Sequence, residues 1–274
     1  MPELPEAENI KLALSRVLPG RSINRVEIFS PALRSSLLPL AEADLAGKSF
    51  TGVRRRGRYL VADLDDGRGL LIHLGMSGVI RVDDGAVPRR KHEHVFIYLN
   101  DGNIFRFECT RRFSLLEVCE NCSGTRWPEK LNKLGVEPLS NDFTADYLFR
   151  RSRTVSQPVK SFLMDNAVVV GIGNIYATET LYAAGVLPTR RTKTLLFEEC
   201  RLIVEHSRRI LEMAIRCGGS TISDFLNVNG EEGKFARELK AYGFAGKKCN
   251  VCGNVFETIK IGGRSSCFCP GCQK

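Results

Sequence analysis

The chain of 274 residues lacks any apolar run near the roughly 18 residues that a membrane-spanning helix needs. Its first residues include Glu3 and Glu6, where a signal peptide would carry cations, so no export signal is expected. Internal repeats and low-complexity tracts are also missing, which argues against a solenoid. We therefore expect a folded cytoplasmic protein with about two domains by length.

Acidic residues are too few to balance the basic ones. Forty Lys and Arg stand against 31 Asp and Glu, a formal net charge of +9, which favours a polyanionic partner. Four basic blocks hold much of this excess. They are Arg54, Arg55, Arg56 and Arg58; Arg89, Arg90 and Lys91; Arg111 and Arg112; and Arg150, Arg151 and Arg153. A solvated face would explain any single block, but four together predict a phosphate-binding surface.

Ten cysteines in a chain without an export signal indicate reduced thiols or a metal site, not a disulfide framework. Two pairs at the C-terminal end, each spaced Cys-x-x-Cys, can each present two thiolates from one tight turn, and the residues between them suit a hairpin. A tail this short cannot fold around its own apolar core. We predict one structural Zn²⁺, bound by Cys249, Cys252, Cys269 and Cys272.

Three further cysteines need a separate interpretation. Cys267 lies in the strand leading to Cys269 and is a poorer ligand candidate. Cys119-x-x-Cys122 could form half of a second metal site, but the only other upstream cysteine is Cys109. Reduced thiols are therefore the favoured prediction for Cys119 and Cys122.

The spacing of apolar residues changes along the chain. Residues 5–18 predict a helix that Pro19-Gly20 ends. Short β-rich runs follow over residues 21–118, with hairpin turns predicted at 65–67 and 100–103, and they predict a mostly antiparallel sandwich or flattened barrel. A polar stretch at 127–141 then resembles a linker. Helices are predicted beyond it at 144–151 with Thr144 as N-cap, from Pro158, at 192–217 and at 233–242.

Four segments carry a resemblance to one known family. The chain opens with Met1-Pro2-Glu3-Leu4-Pro5-Glu6 and continues with GIGNIYATE at 171–179, GGR at 262–264 and the tail CNVC…CPGC. In this order they resemble the bacterial formamidopyrimidine-DNA glycosylases, which excise oxidised purines and then cleave the strand. The resemblance covers essentially the whole chain, and Leu4 favours this branch over the endonuclease VIII group, which typically opens with PEGPE.

The resemblance implies an α+β architecture in three parts. These are a catalytic antiparallel β-sandwich with an N-terminal helix over residues 1–128, a helix–two-turn–helix DNA-binding domain over 129–240 and a four-cysteine zinc-ribbon hairpin over 241–274. It also implies a monomer that acts on double-stranded DNA with an oxidised base or an abasic site. Such a protein would associate with the bacterial nucleoid through DNA.

Pro2 makes chemical sense as the nucleophile that the resemblance implies. A small second residue allows removal of Met1, which exposes a secondary amine. An α-amine titrates near pH 8, against about 10.4 for lysine, so much more of it is neutral at physiological pH. A neutral amine can attack C1′ and form a Schiff base with the opened sugar, while Glu3 moves protons beside it. Glu6 resembles a residue near the same centre.

Further roles follow from matched positions. Met76, Arg111 and Phe113 match residues that fill the gap left when a damaged nucleotide is flipped out of the duplex. The remaining matches are contacts to the DNA backbone: His92, Lys160, Asn174 at a helix start, and Arg264 at the tip of the zinc hairpin. The segment from Ser220 to Gly233, including Thr221, corresponds to one that closes over the flipped base.

Two of the chain's departures from the family pattern bear on function. Arg58 stands where RRGKYL has a functional lysine, and arginine keeps the charge but cannot act as an amine nucleophile. The segment Cys109–Ser114 replaces DPRRFG. Two alternatives therefore stay open: a lyase of the same fold that prefers oxidised pyrimidines, and a zinc-ribbon DNA-damage-binding protein with weakened catalysis.

Overall fold

The chain folds as two units. The computed structural model describes residues 2–122, 124–220 and 233–274. One unit comprises Met1–Asn132 with Gly218–Lys234, and the other comprises Lys133–Cys217 with Phe235–Lys274. The expected boundaries at residues 128 and 240 stay a prediction.

Two four-stranded antiparallel sheets form most of the first unit. The strands are Ile23–Ile28 (β1), Phe50–Arg56 (β2), Tyr59–Leu64 (β3), Gly69–His73 (β4), Gly78–Asp84 (β5), Glu93–Leu99 (β6), Asn103–Cys109 (β7) and Leu115–Cys119 (β8). One sheet has the order β1-β6-β7-β5 and the other β2-β3-β4-β8. The two predicted hairpins are present as β3–β4 and β6–β7. This part of the predicted fold class is confirmed.

Helix α1, Leu4–Val17, packs against β2 and β3 and contributes to the apolar core of this unit. Its buried residues Ile10 and Leu14 recur at the spacing of one helix face and share a core with Leu60 of β3 and Phe105 of β7. Burial of each such side chain contributes about 1.5–3 kcal/mol to folding. The helix begins one residue before its predicted start, and a second short helix, Leu38–Glu42 (α2), lies in the same unit.

The second unit is helical with a C-terminal hairpin. Its helices are Ala145–Thr154 (α3), Val159–Leu163 (α4), Asn174–Ala183 (α5) and Phe197–Arg216 (α6), and its strands are Glu257–Ile261 (β9) and Arg264–Phe268 (β10). Thr144 caps α3 as predicted, because its side chain accepts the Tyr147 N–H at 3.1 Å. Helix α6 begins later than predicted, because a separate 3₁₀ turn occupies Thr192–Thr194.

The helix predicted over residues 233–242 is wrong. Only Phe235–Glu238 forms a short 3₁₀ helix. The buried carboxylate of Glu179 on α5 accepts the backbone N–H groups of Lys240, Ala241 and Tyr242 at 2.7–2.9 Å. These donors would otherwise bond to carbonyls one turn earlier, so the long-range acceptor prevents the helix from continuing. Within the described ranges, no helix is long and apolar enough to cross a membrane.

Leu14 tests the core of the first unit. Leu14→Ala should lower the free energy of unfolding by about 3 kcal/mol, because a fully buried leucine leaves a cavity. Leu12→Ala, at a residue 38% exposed on the same helix, is the matched control and should cost far less. Urea unfolding of both variants measures the difference, and equal losses would contradict the position assigned to α1.

Candidate active site and zinc centre

The four predicted cysteine ligands lie together in the second unit. The Sγ atoms of Cys249, Cys252, Cys269 and Cys272 all fall within 4.8 Å of one another. The Cys249–Cys272 and Cys252–Cys269 separations are 3.7 and 3.3 Å. Tetrahedral Zn–S bonds of about 2.3 Å require sulfur atoms about 3.8 Å apart, so the cluster fits zinc with little adjustment. The chain therefore carries one structural zinc site, since four protein ligands leave no position open for chemistry.

Tight turns shape this site. The Cys249 N–H donates to the Asn254 carbonyl at 2.7 Å, which closes the first turn. In the second turn Gly271 has no space for a side chain, because an added Cβ would lie 2.8 Å from Cys252 Sγ. Cys267 is buried in β10 outside the cluster, as its sequence position indicated.

Tyr182 of α5 contacts the zinc cluster, although nothing in the sequence singled it out. Its hydroxyl lies 3.2 Å from Cys249 Sγ, and its ring packs at 5.4 Å from that of Phe256. Burial, followed by the neighbouring thiols, raises the pKa of Tyr182 above its ordinary value of 10. A zinc-bound thiolate has no proton, so with zinc in place the hydroxyl would donate this hydrogen bond to the sulfur, as outer-shell partners of metal ligands commonly do.

Tyr182→Phe should speed zinc release to a chelator by about ten- to a hundredfold, because outer-shell hydrogen bonds typically affect metal affinity by that factor. Tyr147→Phe removes another tyrosine hydrogen bond in the same unit, to the Val168 carbonyl, and is the matched control. A colorimetric zinc assay on the purified protein measures both rates. Equal release from both variants would show that the Tyr182 hydroxyl does not support the site.

The predicted catalytic residues at the start of the chain are buried around the first turn of α1. Pro2, Glu3 and Glu6 all belong to this buried group. Glu6 Oε2 accepts the Glu3 N–H at 2.9 Å, which fixes the direction in which the chain enters the helix. Glu6 Oε1 accepts both the N–H and the hydroxyl of Ser220, at 2.7 and 3.0 Å. The Glu6 carboxylate therefore joins the N-terminal turn to residue 220 within the first unit.

Close backbone packing defines the segment around Ser220. A Cβ at Gly219 would lie 3.0 Å from Glu6 Oε1, and one at Gly233 would lie 2.2 Å from the Gly219 carbonyl oxygen. Ser220 also forms an antiparallel bridge with Lys234. The two ends of the segment are thus held side by side. The predicted base-covering residues 221–232, including Thr221, lie outside the described residues.

The three predicted gap-filling residues lie on two neighbouring connections between the sheets. Residues 74–77, the first crossover, join β4 to β5, and residues 110–114, the second crossover, join β7 to β8. Because β4 pairs with β8 and β5 pairs with β7, both crossovers span the same edge of the sandwich. They expose Met76 (41%) and Phe113 (51%), and the Arg111 guanidinium lies 5.4 Å from the Phe113 ring.

Arg58 and His73 lie beside the first crossover. Arg58 is partly buried just before β3. Burial, then the positive charges of Arg58 and Arg34, lower the pKa of His73 from 6.5 to about 4. The neutral ring can then accept the Gly75 N–H on Nδ1 at 3.1 Å, which shapes the turn that carries Met76. Sequence reasoning missed His73, which ends an otherwise apolar strand.

His73 predicts a pH dependence of stability. Its folded-state pKa lies below the unfolded value of 6.5, so protonation favours the unfolded chain. The contribution of the neutral ring is therefore complete above pH 6.5 and declines by about 3 kcal/mol as the pH falls to about 4. His73→Asn keeps an acceptor without a titrating ring and should show a shallower decline. Identical pH profiles of unfolding for wild type and variant would contradict the assignment.

His92 is partly buried beside the second crossover. Its carbonyl accepts the Cys109 N–H at 2.9 Å. Arg89, Arg90 and Lys91 precede it on an exposed segment. The buried carboxylate of Glu93 accepts the Arg90 N–H at 2.6 Å and orders this basic stretch.

The remaining predicted DNA contacts belong to the second unit. Lys160 is only 1% exposed, and its Nζ donates to Ser266 Oγ at 2.8 Å and to the Ser265 carbonyl at 3.2 Å. Asn174 begins α5, and its buried Oδ1 has no hydrogen-bond partner within the part of the chain that the structure describes. Asn174 and Ser265 line one cleft of about 180 Å³. Arg264 is exposed where β10 begins.

The prediction of reduced thiols at Cys119 and Cys122 is wrong. The structure joins them in a disulfide at the end of β8, where their Cα atoms lie 6.3 Å apart, within the range that a disulfide spans. Among the described residues, the cysteine cluster of the tail is the one group of three or more side chains placed to bind a metal ion.

Comparisons with known proteins agree along the chain. Residues 1–116 match the formamidopyrimidine-DNA glycosylase N-terminal domain and residues 134–226 its H2TH domain. Residues 246–274 match the zinc finger found in FPG and IleRS. Formamidopyrimidine-DNA glycosylases from Hahella chejuensis and Legionella pneumophila (strain Philadelphia 1) are 42% and 43% identical, over 100% of this chain and 100% and 98% of theirs.

Solved structures give the same result. A Lactococcus lactis FPG mutant bound to Fapy-dG-containing DNA matches with a TM-score of 0.89 and 31% identity, over 100% of both chains. The Lactococcus lactis Fpg with abasic-site DNA matches at 0.88 and 31%, over 99% of both chains. The wild-type enzyme with oxidised-pyrimidine DNA matches at 0.88 and 32%, over 100% of both. Sandwich, helical domain and zinc ribbon thus define a DNA repair glycosylase. The chain belongs to the formamidopyrimidine-DNA glycosylase family.

Proposed function

We propose that the chain removes oxidised purines, such as 8-oxoguanine and formamidopyrimidines, from duplex DNA and then cleaves the strand at the abasic site. The observation that carries this proposal is the buried N-terminal turn, in which Glu6 holds the Glu3 amide and Ser220 together. A freed Pro2 amine would begin this turn, so its position would be fixed before substrate binds. The match to a relative bound to Fapy-dG DNA supports the purine preference.

The proposed chemistry uses the Pro2 nitrogen as nucleophile. Removal of Met1 frees the amine, and roughly a tenth of it is neutral at pH 7. The nitrogen forms a bond to C1′ while the bond from C1′ to the base breaks, and the base leaves with a proton. Opening of the sugar gives a Schiff base. Glu3 then moves protons for β,δ-elimination of the two phosphates, and hydrolysis of the imine frees Pro2.

The DNA contacts divide between gap filling and backbone binding. Met76, Arg111 and Phe113 would enter the gap left by the flipped nucleotide. Insertion into the duplex would also remove the exposed apolar side chains of Met76 and Phe113 from water. Arg58 would bind a DNA phosphate near the catalytic residues. A guanidinium keeps the positive charge of the usual lysine but cannot act as an amine nucleophile. The remaining contacts would bind phosphates directly or position a residue that does so. They are His92, Lys160, Asn174 and Arg264.

Lys160 would act through the hairpin that carries Arg264. Its ammonium is buried against Ser265 and Ser266, the two residues after Arg264. The exposed guanidinium would then bind phosphate from a fixed strand. We also propose a monomer in the cytoplasm, organised as the three domains expected from the sequence.

A second candidate function is excision of oxidised pyrimidines by the same chemistry. It is favoured by the match to a relative in complex with oxidised-pyrimidine DNA. Duplexes carrying thymine glycol would distinguish this activity from excision of 8-oxoguanine. The third alternative, a DNA-damage-binding protein with weakened catalysis, would bind both duplexes and process neither.

Borohydride trapping tests the nucleophile. Protein with Met1 removed should form a covalent adduct on duplex DNA that carries 8-oxoguanine opposite cytosine and on an abasic duplex. The matched control keeps every side chain but carries an uncleaved N-terminal extension, which converts the Pro2 amine to an amide and should abolish both adducts. Intact-mass measurement confirms the state of the terminus in each sample.

Three outcomes distinguish the alternatives. An adduct that survives the extension would place the nucleophile on another residue and sink the role of Pro2. Trapping on the abasic duplex alone would indicate a lyase with another lesion preference. No adduct on either duplex would indicate the DNA-damage-binding protein.

A further inference from the structure

Hydrogen bonds link the two crossovers to each other. Ser114 ends the second crossover and is fully buried, and its hydroxyl donates to the Leu74 carbonyl of the first at 2.6 Å. The Arg111 N–H of the second crossover donates to Ser77 Oγ of the first at 3.1 Å. Each gap-filling segment is therefore bonded to the other.

The crossovers also pack with their backbones in contact. A Cβ at Gly75 would lie 2.4 Å from the Phe113 carbonyl oxygen. One at Gly78 would lie 2.4 Å from the Leu74 carbonyl oxygen and 2.6 Å from Ser114 Oγ. Since no side chain fits between the segments, a shift of one displaces the other.

Two of the three residues that depart from DPRRFG contact each other here. Cys109 and Ser114 occupy the first and last positions of that segment, and Cys109 Sγ lies 2.9 Å from Ser114 Oγ. The Ser114 hydroxyl lies within hydrogen-bond distance of both the Leu74 carbonyl oxygen and the Cys109 sulfur, so it links the two. These two of the three departures therefore belong to one buried hydrogen-bonded group that reaches the first crossover.

Arg112 shows that the second crossover is held firmly. It has φ of 54°, a left-handed conformation that residues other than glycine and asparagine rarely adopt. Such a backbone persists where its surroundings fix it. Arg112 lies between Arg111 and Phe113. The Arg111–Ser77 hydrogen bond therefore holds the chain before this strained residue, and the Ser114–Leu74 hydrogen bond holds it after.

We infer that Ser114 is a positioning residue, which couples the crossovers so that Met76, Arg111 and Phe113 enter the duplex as one rigid group. The inference rests on the proposed function for its effect on excision. The coupling itself is a property of the free protein. The coupling should affect the rate at which a damaged base is extruded. It should have little effect on strand cleavage at a site that has already lost its base.

Single-turnover kinetics test the effect on DNA. Ser114→Ala should slow excision of 8-oxoguanine by about fivefold, the effect of one buried hydrogen bond. Cleavage of a preformed abasic duplex should stay within about twofold of wild type, because no base needs to be extruded. Ser152→Ala is the matched control, since Ser152 is equally buried and donates to the Phe149 carbonyl at 2.7 Å in α3. It should leave the ratio of the two rates unchanged.

Hydrogen exchange tests the coupling without substrate. In Ser114→Ala, exchange of the Arg111 amide and of amides in the first crossover should both accelerate. Ser77→Ala, at a less buried position, is the substitute variant if Ser114→Ala does not fold. It should lower the ratio of 8-oxoguanine excision to abasic-site cleavage, as Ser114→Ala does. Unchanged exchange in the first crossover, or equal slowing on both duplexes, would overturn the inference. Wild-type protein that fails to excise 8-oxoguanine would instead contradict the proposed function, and exchange would still decide the coupling.

Discussion

The arrangement of the candidate active-site residues depends on the hydrogen bonds that the Glu6 carboxylate accepts. One oxygen accepts the amide of Glu3 and the other accepts two donors from Ser220, more than two hundred residues later in the chain. A buried carboxylate without these donors would carry a large desolvation penalty. The same carboxylate therefore orients the N-terminal turn and holds Ser220, the residue after Gly219, against it.

Much of the fold could be predicted because it follows from local patterns. Alternating apolar residues and turn sequences located the β3–β4 and β6–β7 hairpins, and Thr144 identified the start of α3. The short 3₁₀ helix at Phe235–Glu238 could not be predicted, since its length depends on Glu179, which lies about sixty residues away. The helix propensity of a segment depends on its own residues and carries no information about a hydrogen-bond acceptor on another helix.

The candidate site divides in the same way. The cysteine ligands were predictable because their spacing encodes the geometry of a tight turn. Tyr182, His73 and Ser114 were not, since each acts on a residue brought near by strand pairing or helix packing. The disulfide between Cys119 and Cys122 was missed for a different reason, as general expectations about thiols took precedence over spacing.

The zinc ribbon of this protein is not a detachable module. A tyrosine from α5 reaches a cysteine ligand, and the buried ammonium of Lys160 from α4 is satisfied by Ser265 and Ser266 of β10. Recombination that exchanged only the tail would put a foreign side chain in place of Ser266, whose hydroxyl accepts from that buried ammonium at 2.8 Å. A substitution at Ser266 of β10 should therefore also disturb the surroundings of Lys160 on α4.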